Sequence, residues 1–340
     1  MTHVWCVGAG AVGGSVAARL ARSGVEPLVV DSNIDHVRRM REPGLEIGGL
    51  EGGERTKLAA YTLEDASDEL GRVPDVVLLA VRSQATEQAV RAVAPRLGES
   101  TDIVSLQNGL NEDTIAAIVG AERTIGCVVG FGATWIEPGR ITIDANGDLT
   151  IGRLDGSSDA RLEAVRDLLE GAFRTKTTDN ILGALWGKML VNSMTVLGAL
   201  GGMLTGEVLM TPQRRRVVAE IVAEGVDVAT AEGVNLPNVF GLVPASFINA
   251  RGTGWIETMD RVLIRVGEAF GAIKSVTWRD IELGRPTEID AVTGEIVRRG
   301  KAHGVQTPLS TAVYARLREI ETGTRRPDHA NIEELLAEKV

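Results

Sequence analysis

The sequence predicts a parallel α/β domain followed by an all-helical domain. Three observations carry that reading. The chain opens on strand, glycine turn, helix and strand; apolar runs of strand length recur through its first half; and after Gly171 the apolar residues follow a helical period. At 340 residues and 36.1 kDa the chain is longer than one ordinary core and suits two domains. The expected division is residues 1–178, residues 179–325 and a charged tail over 326–340 that ends in a loosely attached helix.

The elements follow in order. VWCVG is the first strand, about Val12 to Ser23 the first helix, and PLVVD the second strand, which together describe a parallel unit. PDVVLLAV (Pro74 to Val81) is almost unbroken in apolar character, as for a parallel strand covered on both faces, and a helical pattern follows from about Ala85 to Leu97. TDIVSLQ is another strand, closed by Asn108-Gly109, and a helix over Asn111 to Val119 leads to TIGCVVG and FGATWIE. RITIDANGDLTIG (Arg140 to Gly152) alternates around Asn146-Gly147 and predicts an antiparallel hairpin at the domain edge. Beyond Asp179, helical patterns cover roughly 184–197, 214–231, 254–270 and 288–303, punctuated by Pro237, Pro244, Pro286 and Pro308.

Composition removes several classes of function. Hydrophobic residues make up 44% and the mean hydropathy is +0.06, which excludes a disordered or fibrous chain. Basic side chains number 36 against 46 acidic ones, and the resulting charge of -10 would repel a nucleic-acid backbone. Cys6 and Cys127 both lie in apolar runs and read as buried thiols of a reducing, cytoplasmic compartment; no metal site can rest on them. The first residues run straight into a strand without the pattern of a secretory peptide, so export is not expected. Residues 189–206 are 18 positions without a charge, the lower limit for crossing a bilayer, but Asn192, Ser193, Thr195 and four glycines favour a buried helix and no membrane association.

Gly8, Gly10 and Gly13 have the spacing that begins a Rossmann-type dinucleotide-binding domain. The first permits a tight turn, the second leaves room for a pyrophosphate, and the third lets the helix approach the strand, while the helix N-terminus offers free N–H groups. The strand before, the helix after and the second strand ending in Asp31 supply the context that a lone glycine pattern lacks. A carboxylate at Asp31 suits the adenosine ribose hydroxyls and repels a 2′-phosphate, and Ser32 follows in place of an arginine, so NAD is expected over NADP. The alternative is a solvated Asp31 with Arg38 or Arg39 reading the phosphate.

Three further positions stand where ligands meet such a sheet. Arg82, the one cation of AVRSQAT, suits a substrate carboxylate or a cofactor phosphate, or else a solvated helix start. Asn108 is either a turn residue or a hydrogen-bonding group beside the nicotinamide ribose. Lys188 and Asn192 share one helical face in an apolar segment, where a cleft-facing lysine suits proton transfer to an oxygen and a lysine snorkelling at the domain edge is the plainer reading. Thr287 and Asp290 form a capping-box pattern, and Glu288 falls in a first helical turn where the dipole favours a carboxylate regardless of function.

GAGAVGG, AVRSQAT, LQNG, KMLVN and RDIELGRPTEIDAVTGEIVRRGKAHGVQTP together resemble the ketopantoate reductase (2-dehydropantoate 2-reductase) family over nearly the whole chain. The resemblance implies a Rossmann domain followed by a helical domain, with a 2-keto acid bound in the cleft and reduced to a D-2-hydroxy acid. It further implies Lys188 as general acid, Glu288 as a substrate contact, Asn108 and Asn192 lining the cleft, and a homodimer. Four positions depart from the family's pattern: Arg82 replaces a lysine, Val196 an asparagine, Val276 a serine and Ser32 the arginine that reads NADP. The two valines cannot hydrogen-bond a hydroxylated substrate, so an NAD-linked relative acting on a different 2-keto or 2-hydroxy acid is expected. A true ketopantoate reductase of pantothenate synthesis, a reductive aminase on the same scaffold and a non-catalytic dinucleotide-binding protein are the alternatives.

Overall fold

A computed structural model describes residues 2–65, 71–272 and 274–337. The chain forms two compact units, Met1–Ile181 and Leu182–Val340.

The first unit is built on an eight-stranded sheet. Its strands are β1 (Val4–Val7), β2 (Leu28–Val30), β5 (Ala59–Tyr61), β6 (Val76–Leu79), β7 (Asp102–Ser105), β8 (Thr124–Val129), β11 (Leu149–Arg153) and β12 (Thr175–Thr177), in the order β12-β11-β8-β7-β6-β1-β2-β5. Every neighbouring pair is parallel except β8 with β11. Trp5, Cys6, Leu78 and Ile103 are wholly buried, which is why these strands read as continuous apolar runs. The order reverses beside β1, whose chain continues to β2 on one side while β6 lies on the other. Such a switch point is where ligands bind at the C-terminal edge of an open sheet.

Helix α1 (Ala11–Arg22) leaves β1 and ends at Gly24, whose φ of +92° breaks the helical course. Helices α2 (Ile34–Arg39), α3 (Thr86–Val93), α4 (Glu112–Val119) and α5 (Ala160–Glu170) make the other connections. Asp159 caps α5 by accepting from the Leu162 N–H at 2.7 Å.

A second sheet, absent from the sequence reading, has the order β4-β3-β10-β9, with β3 (Leu45–Gly49), β4 (Glu54–Thr56), β9 (Gly132–Glu137) and β10 (Arg140–Ala145). It packs against α1, whose Gly14 is the point of approach: a Cβ there would lie 2.9 Å from the Ala9 carbonyl oxygen and 3.3 Å from Ile141 Cδ1. The hairpin expected at Asn146-Gly147 is corrected by this arrangement. The turn lies at Pro138-Gly139, between antiparallel β9 and β10, while the chain after β10 crosses to the main sheet and pairs as β11 with β8. Pro138 followed by Gly139 at φ +80° is a type II turn signature. Gly147 instead permits a close crossing, since a Cβ there would stand 2.2 Å from the Gly130 carbonyl oxygen.

The second unit contains, among the described residues, the helices α6 (Ile181–Gly201), which begins at the last residue of the first unit, α7 (Thr205–Val208), α8 (Pro212–Ala231), α9 (Ala245–Ala250), α10 (Trp255–Phe270), α11 (Val276–Glu282), α12 (Thr293–His303), α13 (Pro308–Glu321) and α14 (Ala330–Ala337). Helix α6 is long and apolar enough to cross a membrane, and 61% of its apolar window is buried inside the protein. A core helix has that profile, and α8 runs close beside it, because a Cβ on Gly225 would stand 2.3 Å from Leu190 Cδ2. Thr211 caps α8 and Pro212 occupies its first position; Glu224 in turn caps α13, accepting from the Leu309 and Ser310 N–H groups at 2.8 Å each.

Two expectations about this unit are corrected. The helix over 288–303 is interrupted: a single turn, Ile289–Ala291, precedes α12, with Val292 at φ -111° and ψ -87° between them. The tail is firmly attached. Ile332 and Leu335 are wholly buried, and the Asn331 amide donates to the Leu200 carbonyl at 3.0 Å and the Arg326 carbonyl at 2.9 Å.

Candidate functional site

Gly8, Gly10 and Gly13 follow β1, Asp31 follows β2, Arg82 follows β6 and Asn108 follows β7, so all six stand at the C-terminal edge of the main sheet. Gly8 adopts φ +89°, and a Cβ there would lie 2.7 Å from the Val81 nitrogen. Only glycine lets the turn after β1 touch the turn after β6. A Cβ on Gly13 would stand 2.0 Å from the Gly8 carbonyl oxygen and 2.8 Å from Ala80 Cβ, which fixes the close approach of α1. Gly10 differs, because a Cβ there would meet no atom within 4 Å.

The N-terminus of α1 carries no side-chain cap and no acidic residue in its first turn. An uncapped helix start next to the open space at Gly10 is an arrangement suited to a phosphate. Beneath the loop the Cys6 thiol donates to the Gly8 and Gly13 carbonyls at 3.6 and 3.5 Å. Burial, with the charge of Asp31 adding to it, pushes this thiol up to about 12, so it is a buried structural group.

Asp31 holds two peptide N–H groups, Ala9 through Oδ2 and Asn33 through Oδ1, both at 2.8 Å. Ser32 beside it is exposed. Arg38 is exposed and pairs with Asp35 at 3.3 Å, while the stem of Arg39 lies under Gly139. Sequence reasoning missed His36, wholly buried in α2, which contacts the Ala9 carbonyl oxygen at 2.7 Å. Nothing in the sequence distinguishes it from any other histidine on a short helix.

A second missed feature is a polar network joining the ends of β6 and β7. Gln107 donates to the Val81 carbonyl at 2.8 Å and to the Thr86 hydroxyl at 2.7 Å; Ser83 donates to the Asn108 carbonyl at 2.9 Å, which Asn111 also reaches at 2.7 Å. The backbone of Asn108 is thus fixed, Gly109 at φ +87° completing the turn, and Arg82, Ser83 and Asn108 are each half-buried. Glu112, at the start of α4, is buried with neither carboxyl oxygen hydrogen-bonded. Burial pushes this carboxyl up to about 7, the nearby Glu112 N–H and Ser105 hydroxyl opposing and Asp113 assisting.

In the second unit Lys188 and Asn192 are half-buried and one turn apart on α6. Val196, a further turn along, is buried, whereas Val276 at the start of α11 is 51% exposed. Glu288 is half-buried and immediately precedes the Ile289–Ala291 turn. The capping box expected around it is replaced by a different arrangement: Thr287 accepts from the Ile289 N–H, but its own N–H donates to Glu321 at 2.8 Å, and Asp290 accepts from the Tyr314 hydroxyl at 2.6 Å. Among the described residues no cluster of metal-ligating side chains occurs.

The glycine loop at a switch point, with a carboxylate after the second strand, defines a dinucleotide-binding α/β domain, here continued by a helical domain. The chain belongs to the ketopantoate reductase family: the model of ketopantoate reductase PanE/ApbA matches residues 4–156 and that of its C-terminal domain residues 180–321. The 2-dehydropantoate 2-reductase of Pyrococcus horikoshii is 28% identical over 322 residues, 94% of this chain and 97% of that one. The crystal structure of a PanE/ApbA family ketopantoate reductase from Ralstonia eutropha JMP134 superposes with a TM-score of 0.80 at 28% identity, covering 95% of this chain and 99% of that one. D-mandelate dehydrogenase in its ternary structure with NADH and anilino(oxo)acetate shares the fold, with a TM-score of 0.81 at 24% identity over 94% of this chain and 98% of that one. The family is one of reductases, that is, of oxidoreductases.

Proposed function

We propose that the protein is a cytoplasmic, homodimeric, NAD-linked reductase that converts a 2-keto acid other than ketopantoate into a D-2-hydroxy acid. The observation that carries the cofactor half is the open, uncapped start of α1 at Gly10 beside the fixed carboxylate of Asp31. The N–H groups of that helix would hold the pyrophosphate, Asp31 the adenosine ribose, and Asn108 the nicotinamide ribose. Nicotinamide, when bound, supplies the hydride. Lys188 Nζ would deliver the proton to the substrate oxygen, Asn192 and Glu288 would orient the substrate, and Arg82 would pair with its carboxylate.

The substrate half rests on Val276, because Val196, the other valine expected at the substrate, is buried. An exposed Val276 where the family has a serine offers an apolar contact and leaves a substrate hydroxyl unpaired, which disfavours a hydroxylated acid. The deciding experiment follows absorbance at the NADH band over a panel of 2-keto acids, with NADH and NADPH, with and without ammonium. Turnover of apolar 2-keto acids with NADH and no amine supports the reading. Best turnover of ketopantoate, a strict need for ammonium, or no turnover at all would favour a ketopantoate reductase, a reductive aminase or a non-catalytic binder respectively.

A further inference from the structure

We infer that His36 is a positioning residue for the pyrophosphate loop, holding the Ala9 peptide from the side of the second sheet so that the following N–H is aimed at the cofactor. The inference rests on the dinucleotide reading above and adds to it a residue in no glycine motif.

The hydrogen bonds define the imidazole completely. The Gly139 N–H donates to His36 Nδ1 at 2.8 Å, so that nitrogen carries no proton. The proton therefore sits on Nε2, which donates to the Ala9 carbonyl oxygen at 2.7 Å. The ring is wholly buried and stands edge-on to Trp135 with centroids 4.4 Å apart. Burial holds it below the ordinary histidine range against the opposing pull of the Ala9 carbonyl and Asp31, which keeps the ring neutral and this tautomer in place.

One side of Ala9 is held by Asp31, which accepts its N–H, and the other by His36, which binds its carbonyl. Two successive peptide planes are thereby fixed. Because a trans peptide places C=O and N–H on opposite sides, an Ala9 carbonyl turned toward His36 turns the Gly10 N–H away from it. The second sheet is what anchors the histidine. Gly139 sits at φ +80° against α2, where a Cβ would lie 2.6 Å from Arg39 Cβ, so only glycine brings the hairpin N–H within reach of the ring. The second sheet thus acts as a brace for the loop.

The test uses ADP-ribose, which carries the pyrophosphate and both riboses, titrated by calorimetry into the full-length protein and its variants. His36→Phe keeps the ring packing on Trp135 and removes both hydrogen bonds, so it should weaken binding about tenfold. His36→Gln, whose amide can still donate to Ala9, should recover most of that loss. Hydrogen exchange of residues 8–14 without ligand should quicken in the phenylalanine variant and not in the glutamine one. Should the phenylalanine variant not fold, Gly139→Ala carries the same expectation by displacing the hairpin. A phenylalanine variant that melts earlier yet binds with wild-type affinity, or a glutamine variant no better than phenylalanine, overturns the inference alone. Wild-type protein that does not bind ADP-ribose overturns the dinucleotide reading and this inference together.

Discussion

Asp31 Oδ2 accepts the Ala9 N–H at 2.8 Å, so the carboxylate after β2 ties down the glycine loop after β1. In the proposed function, cofactor choice and loop geometry would therefore run through one side chain.

Separate substitutions should divide the two roles. Asp31→Asn keeps an oxygen for the Ala9 N–H and removes the charge, so it should narrow the preference for NADH over NADPH. Asp31→Ala also frees the loop and should weaken both cofactors, by about tenfold for the lost charged hydrogen bond. Binding curves for the two cofactors check this; tighter binding of NADPH than of NADH by the unaltered protein would refute the role given to Asp31.

Lys188→Ala should lower kcat about 10²–10⁴-fold, the usual range for general acid–base catalysis, with ADP-ribose affinity unchanged because the glycine loop proposed to hold the phosphates belongs to the other unit. Glu288→Gln should raise KM for the keto acid more than it lowers kcat. Steady-state kinetics on the best substrate decide both, and a folded alanine variant with wild-type kcat would remove Lys188 from the chemistry.

Glu112 predicts a pH dependence of stability. Its folded carboxyl titrates at about 7 against an ordinary 4.5, so the folded protein binds the proton more tightly than the unfolded chain. Its contribution is therefore fully favourable below the ordinary carboxylate range and is lost as pH rises toward about 7. Glu112→Gln should stabilise the protein by about 3 kcal/mol at pH 8 and by little at pH 4. Urea unfolding at the two pH values reads the difference, and an equal effect at both would mean that Glu112 does not titrate in this window.

At the opposite end of β7, Asp102 accepts from Arg153 at 2.7 Å and also pairs with Arg161; Asp102 and Arg153 are both almost wholly buried. Removing the carboxylate would strand a buried guanidinium, so Asp102→Ala should cost about 3–5 kcal/mol. ADP-ribose affinity should not change, since the ligand edge lies at the other end of the strand.

The parts of this fold that were legible in sequence are those whose signal is local. Val76–Leu79 is a strand because both of its faces are buried, and Gly8 and Gly13 announce a turn because each answers a contact within a few residues or across one strand. The second sheet was not legible: β3 and β4 are short and rich in glycine or charge, and β3 gains its place from β10, which follows about ninety residues later. Asn146-Gly147 carries a hairpin signature that tertiary structure overrides, because the next strand finds its partner in β8. His36 and Gln107 act through backbone groups distant in sequence, and no spacing rule reaches such contacts.

Val276 should set which acid is turned over. At 51% exposed it offers a methyl surface at the position where the family's pattern has a serine. Val276→Ser should therefore raise kcat/KM for a hydroxylated 2-keto acid such as ketopantoate and lower it for apolar ones, a combined change in ratio of about 10- to 100-fold. The same change at buried Val196 would place a hydroxyl in the helical core and act first on stability. Competition assays with paired substrates measure the ratio directly. An unchanged ratio in the Val276→Ser protein would detach this residue from substrate choice and leave Arg82 as the position to vary next.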